Sequence, residues 1–455
     1  MKTQRAMNKT LYCISLLFGL IGSVTAQEHM LSKEEAVKIA LEQNFGIQVA
    51  ENQVAIAANN KSILNSGYLP SVTGTAAANY GRDNSSIEFP GQFTDDGQPV
   101  PDRDINNAES QRYTSAINVN YTLFDGLGRY YTYKSLKEQY QLTSLQARET
   151  IENTMLELFS VYFEVARLTE NEKVFKEALA ISQDRITRAE YSFEYGQNTQ
   201  LDILNAQVDV TNDSINLLNT KQQLRNTKRD LNVVLNQDLE TGFVVDTIVS
   251  FIPKIQLEEF IASAIQNNVA VLQTERNIAI NKYDIKVNSS GYLPTIGLTG
   301  SYGWNLNQSA PSAFFAGTNT RSNSLALGAS LSWNLFDGGG TTVRVKNAKI
   351  AYENQELLQQ QVKVQVNRDI KNALDIYENK VRIYEIQEQN VVTNQNNFDR
   401  SKEQFQLGRI TSIEFRQAQI NLLNAQTNKT LAKYDAKLAE LQLLQLTGQL
   451  LNIEL

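Results

Sequence analysis

Residues 129–195 read RYYTYKSLKEQYQLTSLQARETIENTMLELFSVYFEVARLTENEKVFKEALAISQDRITRAEYSFEY, 67 residues without a glycine or proline. A second run of 67, again with neither, occupies 341–407. Each follows a Leu-Phe-Asp-Gly sequence, Leu123-Phe124-Asp125-Gly126 or Leu335-Phe336-Asp337-Gly338, and each ends on a lone glycine, Gly196 or Gly408. As α-helices each would be roughly 100 Å long at about 1.5 Å per residue. Globular helices stop well short of that, so a coiled coil or a long tube is implied. The apolar spacing agrees. Ile151, Met155, Leu158, Tyr162 and Val165 step by four and three, as do Ile370, Leu374, Tyr377, Val381 and Tyr384, with Val391, Phe398 and Phe405 following at sevens.

Around these rods the chain repeats itself. Gly67-Tyr68-Leu69-Pro70 recurs 224 positions later as Gly291-Tyr292-Leu293-Pro294, and Glu35, Ala40 and Asn44 have counterparts in Glu259, Ala264 and Asn268 at the same offset. The Leu-Phe-Asp-Gly pair and the two tip glycines are 212 apart, so the first copy carries 12 extra residues between Pro70 and Leu123. The stretch from Arg82 to Ser110, with Pro90, Pro99 and Pro101 among many Gly, Asp and Asn, has loop composition and is expected to hold the insertion as one enlarged loop. A tandem duplication follows, with a first repeat over 27–250 and a second over 251–455.

Each repeat opens with about 35 residues of helical pattern, begun in the first copy by a Ser32/Glu35 capping box and stopped by the proline of Gly-Tyr-Leu-Pro. Period-two alternation follows. Ile117, Val119, Tyr121 and Leu123 interleave with Asn118, Asn120 and Thr122, and Leu325, Leu327, Leu331, Trp333 and Leu335 interleave with Gly, Ser and Asn. Weaker partners precede them, giving strand pairs at about 71–124 and 295–336 and long helical hairpins at 129–240 and 341–450. Strands of about ten residues, apolar on one face and small or polar on the other, fit a transmembrane barrel wall around a wet lumen. Tyr80, Tyr121, Tyr302, Trp304 and Trp333 are expected near strand ends, as interface aromatics. The competing reading is a soluble two-sided sheet. Four strands cannot close a barrel, and an open edge in lipid leaves backbone groups unpaired. Chains must then pool their strands: two would give eight, plugged by side chains, and three would give twelve around a passage.

Composition bounds the rest. Residues 1–26 read as a secretory signal: Lys2, Arg5 and Lys9, then an apolar run from Leu11 to Val24, then Val24-Thr25-Ala26. Cleavage would take the net charge from -7 to -10, since three lysine and arginine charges and no acid leave with it. That argues against nucleic acid. The one cysteine, Cys13, falls inside the signal, so no disulfide, thiol chemistry or lipid anchor is expected. The only histidine, His29, falls in the flexible start of the mature chain, which disfavours a histidine-based triad or metal site. Gly338-Gly339-Gly340 lacks the Lys and Ser/Thr of a phosphate loop, and carboxylates scattered along the rods read as a solvated face. No enzyme activity, cofactor or metal is expected.

Taken together, the duplication, Gly-Tyr-Leu-Pro before the strands, Leu-Phe-Asp-Gly after them and the tip sequences resemble the TolC-like outer-membrane efflux channel family over nearly the whole mature chain. The tips read Phe193 to Gln207 and Gln406 to Gln419. The resemblance implies a homotrimer with a twelve-stranded transmembrane barrel and a periplasmic coiled-coil tube. It also implies partners, a periplasmic adaptor and an inner-membrane transporter, for which this chain is the exit duct of an efflux pump or type I secretion system. It further implies a periplasmic gate near the tip turns. Asp202 and Glu414, six places after each tip glycine, match the family's acidic positions. Gln417 stands at the second acidic position, Phe405 where the family has a tyrosine, and Ile410 where it has an arginine, with Arg409 one place earlier. Asp202, Glu414, Arg409 and Phe405 are thus the gate candidates, and Gly196, Gln197, Asn198, Gly408, Arg409 and Ile410 the adaptor-docking tips. Asp202 and Glu414 also suit first-turn capping, as do Asp125 and Asp337. A coiled-coil scaffold or adhesin without a pore is the alternative, and it leaves the duplicated amphipathic strands unexplained.

Overall fold

The structure is a computed structural model that describes residues 29–197, 199–311 and 316–453. The signal segment 1–26 and Asn198 lie outside the described residues. In order, the chain forms β1 (His29–Leu31), α1 (Lys33–Gln43), α2 (Phe45–Asn60), β2 (Ser71–Ile87), β3 (Arg103–Asp125), α3 (Gly128–Glu194) and α4 (Gln200–Leu235). The series then repeats as β4 (Phe243–Val245), α5 (Lys254–Asn267), α6 (Val269–Ser289), β5 (Thr295–Ser309), β6 (Thr318–Ser332), α7 (Gly340–Gln406) and α8 (Ser412–Leu446). The two punctuation-free runs are single helices of 67 residues, each displaced by one residue from the sequence expectation. Among the described residues no helix is long and apolar enough to cross a membrane. Two compact units form: one from residues up to 53, 144–273 and from 360 on, the other from 54–143 and 274–359.

The second unit holds the sheet, antiparallel in the order β2-β3-β5-β6. Register sets side chains of like kind across each rung. Val72, Val119, Gly300 and Leu327 lie opposite one another, as do Gly74, Ile117, Tyr302 and Leu325. Alternation puts Thr73, Asn118, Ser301 and Ala326 on the reverse face. The apolar face is bare in the single chain, with Val72, Ile117, Tyr302, Leu325 and Leu327 all more than half exposed. Each outer strand, β2 and β6, has only one neighbour.

The strands outrun the sequence reading. Residues 82–87 and 103–110, expected as loop, continue β2 and β3, pairing Gly81 with Ser110 and Ile87 with Arg103. The polar residues there satisfy the ladder through their backbone, so composition gave no strand signal. A register shift between Asp83 and Ser85 lets Asn84 Oδ1 accept from Asn107 N at 2.6 Å, with Asn107 at φ 59°. Because the strands run to 23 residues, Tyr80, Tyr302 and Trp304 sit mid-strand rather than at ends. Conversely β6 stops at Ser332, leaving Trp333 and Leu335 beyond it, and Trp333 Nε1 donates to the Tyr292 carbonyl at 3.1 Å.

Each Leu-Phe-Asp-Gly turns strand into helix. Asp125 Oδ2 accepts from the Arg129 backbone N–H at 3.0 Å, and Asp337 Oδ2 from that of Thr341 at 2.7 Å. These are the capping roles expected of both acids. Gly126 has φ 68°, and a Cβ there would meet the Ser290 carbonyl oxygen at 2.5 Å, so no other residue fits.

The helical unit is built on the heptad positions of α3. Met155, Leu158, Tyr162 and Val165 are fully buried, with Ala36 and Ala40 of α1, Leu231 and Leu235 of α4 and Leu441 and Leu444 of α8 in the same cluster. Phe163 stacks on Tyr434 at 5.7 Å. The short parallel pair β1–β4 ties the opening strand to the segment that follows α4, His29 opposite Phe243. Tyr162 Oη clamps both strands' ends, donating to Leu31 O at 2.8 Å and accepting from Asp246 N at 3.0 Å. Burial pushes its phenol up to about 12. His29 is therefore not in a loose end: it opens β1 with Nε2 2.9 Å from Glu35.

The opening helical pattern of each repeat is broken in two, at Asn44 and Asn268. Asn44 Oδ1 accepts from Gly46 N at 2.8 Å, and its amide donates to Val234 O, in the last turn of α4, at 2.9 Å. Asn268 does the same, accepting from Ala270 N at 3.0 Å and donating to Leu446 O of α8 at 2.8 Å. One side chain thus starts a helix and satisfies a carbonyl at the end of another.

Candidate functional site

Both tip turns belong to the helical unit, and they are built alike. Gly196 has φ 72° and Gly408 φ 68°. Beyond them Gln197 N bonds back to Ser192 O at 2.8 Å, and Arg409 N to Gln404 O at 2.9 Å, the closure that a left-handed glycine permits at a helix C-terminus. Thr199 and Thr411 then take extended backbone and start α4 and α8.

Asp202 and Glu414 close a capping box at each start. Asp202 Oδ2 accepts from the Thr199 backbone N–H at 2.9 Å and its hydroxyl at 2.8 Å; Glu414 Oε2 accepts both from Thr411 at 2.8 Å. These bonds, the backbone one foremost, hold both carboxyls below their ordinary range. Within one chain the acids are committed as anions rather than shifted upward by crowding. Arg409 is exposed, and its guanidinium has no partner among the described residues.

Beneath the second turn lies an aromatic stack. Phe415 sits 4.9 Å from Phe405 and 5.5 Å from Phe398, nearly parallel to the first, and Ile410 packs on the same cluster. Phe405 is thus an apolar anchor here. Arg188 lies 5.8 Å over its ring. A groove of about 510 Å³ runs beside the stack, lined by Arg185, Arg188, Tyr191, Tyr195, Lys402 and Phe405 among others.

What sequence reasoning missed is a buried charge network joining the first hairpin to α8. Arg416 grips Asp213 at 2.7 and 2.8 Å, and its Nε lies 3.3 Å from Asp209. Arg185 donates to Asp209 at 2.9 Å and to Ser412 Oγ at 2.8 Å, while Ser182 donates to Asp213. Two arginines face two aspartates, so the network is neutral. The Asp213 side chain is only 1% exposed, so this carboxylate is not part of a solvated face. Its signal was faint: acids four apart on α4, and one arginine eight places past Gly408.

The sequence matches the family model described as "Outer membrane efflux protein" twice, over residues 36–237 and 260–449. The chain belongs to the outer membrane efflux protein family. The outer membrane protein TolC of Vibrio cholerae is 23% identical over 347 residues, 75% of this chain and 78% of that protein. The outer membrane efflux protein BepC of Brucella suis is 22% identical over 439 residues, 95% of this chain and 89% of that protein. Among solved structures, the Campylobacter jejuni CmeC outer membrane channel shares the fold at a TM-score of 0.72 and 17% identity, over 92% of this chain and 86% of that one. As a member of the family, the protein is an outer-membrane efflux channel, its strands in the membrane and its helical body in the periplasm. The family match extends over the strands as well as the rods, which removes the scaffold reading.

Proposed function

We propose that three copies of this chain close one twelve-stranded barrel and serve as the exit duct of a tripartite efflux pump or type I secretion system. The observation that carries this reading is the sheet: four strands, both edges unpaired, an apolar face outward and a face of Ser, Thr, Asn and Gly behind it. Lipid tolerates no open edge, so the strand ladder must be completed by other copies. Unpartnered stripes on the helices support the same assembly. Val343, Ile350, Leu357 and Val364 recur at sevens along α7, exposed, and Leu201, Leu204, Val208, Ile215 and Leu218, stepping by three, four, seven and three, are exposed on α4.

At the tips, Asp202 and Glu414 of three chains supply six carboxylates to one constriction, each with an oxygen left over from its capping box. Arg409, unpaired among the described residues, is the cation placed to offset them, and Phe405 holds the second turn on its stack. The turn residues Gly196, Gln197 and Asn198, and Gly408, Arg409 and Ile410, are the surface for a periplasmic adaptor that joins the duct to an inner-membrane transporter. Cysteines placed at Gln197 and Arg409 should cross-link to that adaptor in cells while assembly is unchanged. Absence of any adduct in cells that still export would remove the docking assignment.

A further inference from the structure

Within the strand unit, the apolar face is not filled evenly. At Gly300 a side chain is missing between Val119 and Leu327: a Cβ there would lie 3.3 Å from Leu327 Cδ2 and 4.0 Å from Val119 Cβ. The result is an open slot of about 570 Å³, lined also by Leu298, Tyr121, Leu69, Pro70 and Tyr68. A second hollow of about 430 Å³, lined by Gly74, Ile117, Tyr302 and Trp304, continues along the same strands. From Leu298 to Trp304 is about 20 Å at roughly 3.3 Å per residue. With strands tilted by about 45°, that is about the depth of one leaflet.

The Tyr68 end of the slot leads into a cluster of rings and cations. Arg129 lies 5.4 Å over the Tyr68 ring, and Tyr133 meets that ring edge-on at 6.3 Å. Along the first turns of α3, Tyr130, Tyr133, Lys134, Lys137 and Tyr140 share one face at three and four spacing. Lys137 stands 4.4 Å over Tyr133, Lys134 5.6 Å over Tyr130, and Lys61 3.1 Å over Tyr140. Of the acids nearby, Asp125 pairs with Arg129 and Glu138 with Arg276, while Asp284 is hydrogen-bonded to Ser135 of α3. Among the described residues none of the three lysines has an ion-pair partner. Three uncompensated cations therefore sit among aromatic rings at the helix-bearing end of a membrane-spanning sheet, where the headgroups of the inner leaflet lie.

We propose that the Gly300 slot and its lysines bind an acidic phospholipid of the inner leaflet. One acyl chain lies along the slot, and Lys134 and Lys137 hold the phosphate and anionic headgroup, with Lys61 adding to the field. The small residue makes room, the rings set the depth, and the charge selects the lipid.

Native mass spectrometry of the detergent-solubilised full chain, with dioleoyl phosphatidylglycerol or dioleoyl phosphatidylcholine added, reads this out. Retention of phosphatidylglycerol at one per chain, well above phosphatidylcholine, is expected. Lys134→Gln/Lys137→Gln should weaken the phosphatidylglycerol alone, roughly fivefold per lysine. Gly300→Leu should remove retention of both lipids. Should Gly300→Leu fail to assemble, the lysine pair on the helix surface decides by itself. Equal retention of the two lipids by the wild type, or a double lysine variant that binds as the wild type does, would overturn the proposal.

Discussion

Arg416 holds Asp213 through both carboxylate oxygens, at 2.7 and 2.8 Å, with the Asp213 side chain 1% exposed. The pair fastens α8, which belongs to the second hairpin, to α4 of the first, just behind the tips. Removing one partner leaves a buried charge with half its bonds gone, which costs about 3–5 kcal/mol. Asp213→Ala should therefore loosen the tip, read as faster amide exchange over residues 178–190 and 409–420. Protection equal to the wild type would show that the network carries no tension between the hairpins.

Gly196→Val and Gly408→Val should each abolish export while leaving assembly yield unchanged. Space is not the obstacle, since nothing lies within 4 Å of an added Cβ at either site. The obstacle is φ near 70°, which a β-branched residue resists. Asn at the same positions should be tolerated, because its short polar side chain visits that region. Equal export from the Val variants would separate the turn geometry from docking.

The capping carboxylates make the tips acid-labile. Their folded pKa values are depressed, so the stabilisation they give is complete above the ordinary carboxylate range and is lost as pH falls through the lowered values. Amide exchange at 199–205 and 411–417 should accelerate below about pH 4 in the wild type. In Asp202→Ala/Glu414→Ala those segments should already be frayed at neutral pH. A wild-type tip unaffected by acid would contradict the capping account. The same double variant in planar bilayers tests the gate: loss of cation selectivity and of block by divalent cations is expected, and unchanged selectivity would reduce the two acids to caps.

On the sheet, the two faces should answer oppositely to charge. Leu325→Lys or Leu327→Lys puts a cation against lipid and should lower stability, Leu325→Lys the more because it lies deeper, towards the cost of about 2–4 kcal/mol at a midplane site. Ser301→Lys, on the reverse face, should assemble normally and change conductance instead. Comparable yields for Leu327→Lys and wild type would mean that this face does not meet lipid.

The rods and tips were open to reading because their signals are local. Gly and Pro punctuate helices whatever surrounds them, so their absence over 67 residues fixed α3 and α7 to within one residue. Gly196 and Gly408 announced left-handed turns for the same reason. The missed features depend on partners distant in the chain. Asn44 breaks a helix only because Val234 O and Gly46 N are both in reach of its side chain. β1 and β4 are three residues each, and they form because they pair across more than 200 positions. The polar ends of β2 and β3 hold together by backbone pairing, which composition does not record. Asp209 and Asp213 looked like surface charges until Arg185 and Arg416 were found against them. At the candidate gate, the residue types could be read from sequence, but Phe405 as part of an aromatic stack could not, since Phe415, the ring it stacks on, lies on another helix.

The central claim is that this chain completes its sheet with two further copies. The direct measurement is the mass of the complex extracted from outer membranes in detergent, by light scattering with the detergent contribution removed. Three chains per particle are predicted, resistant to dilution and with the full strand signal in circular dichroism. A stable single chain that keeps that signal in lipid would contradict the account.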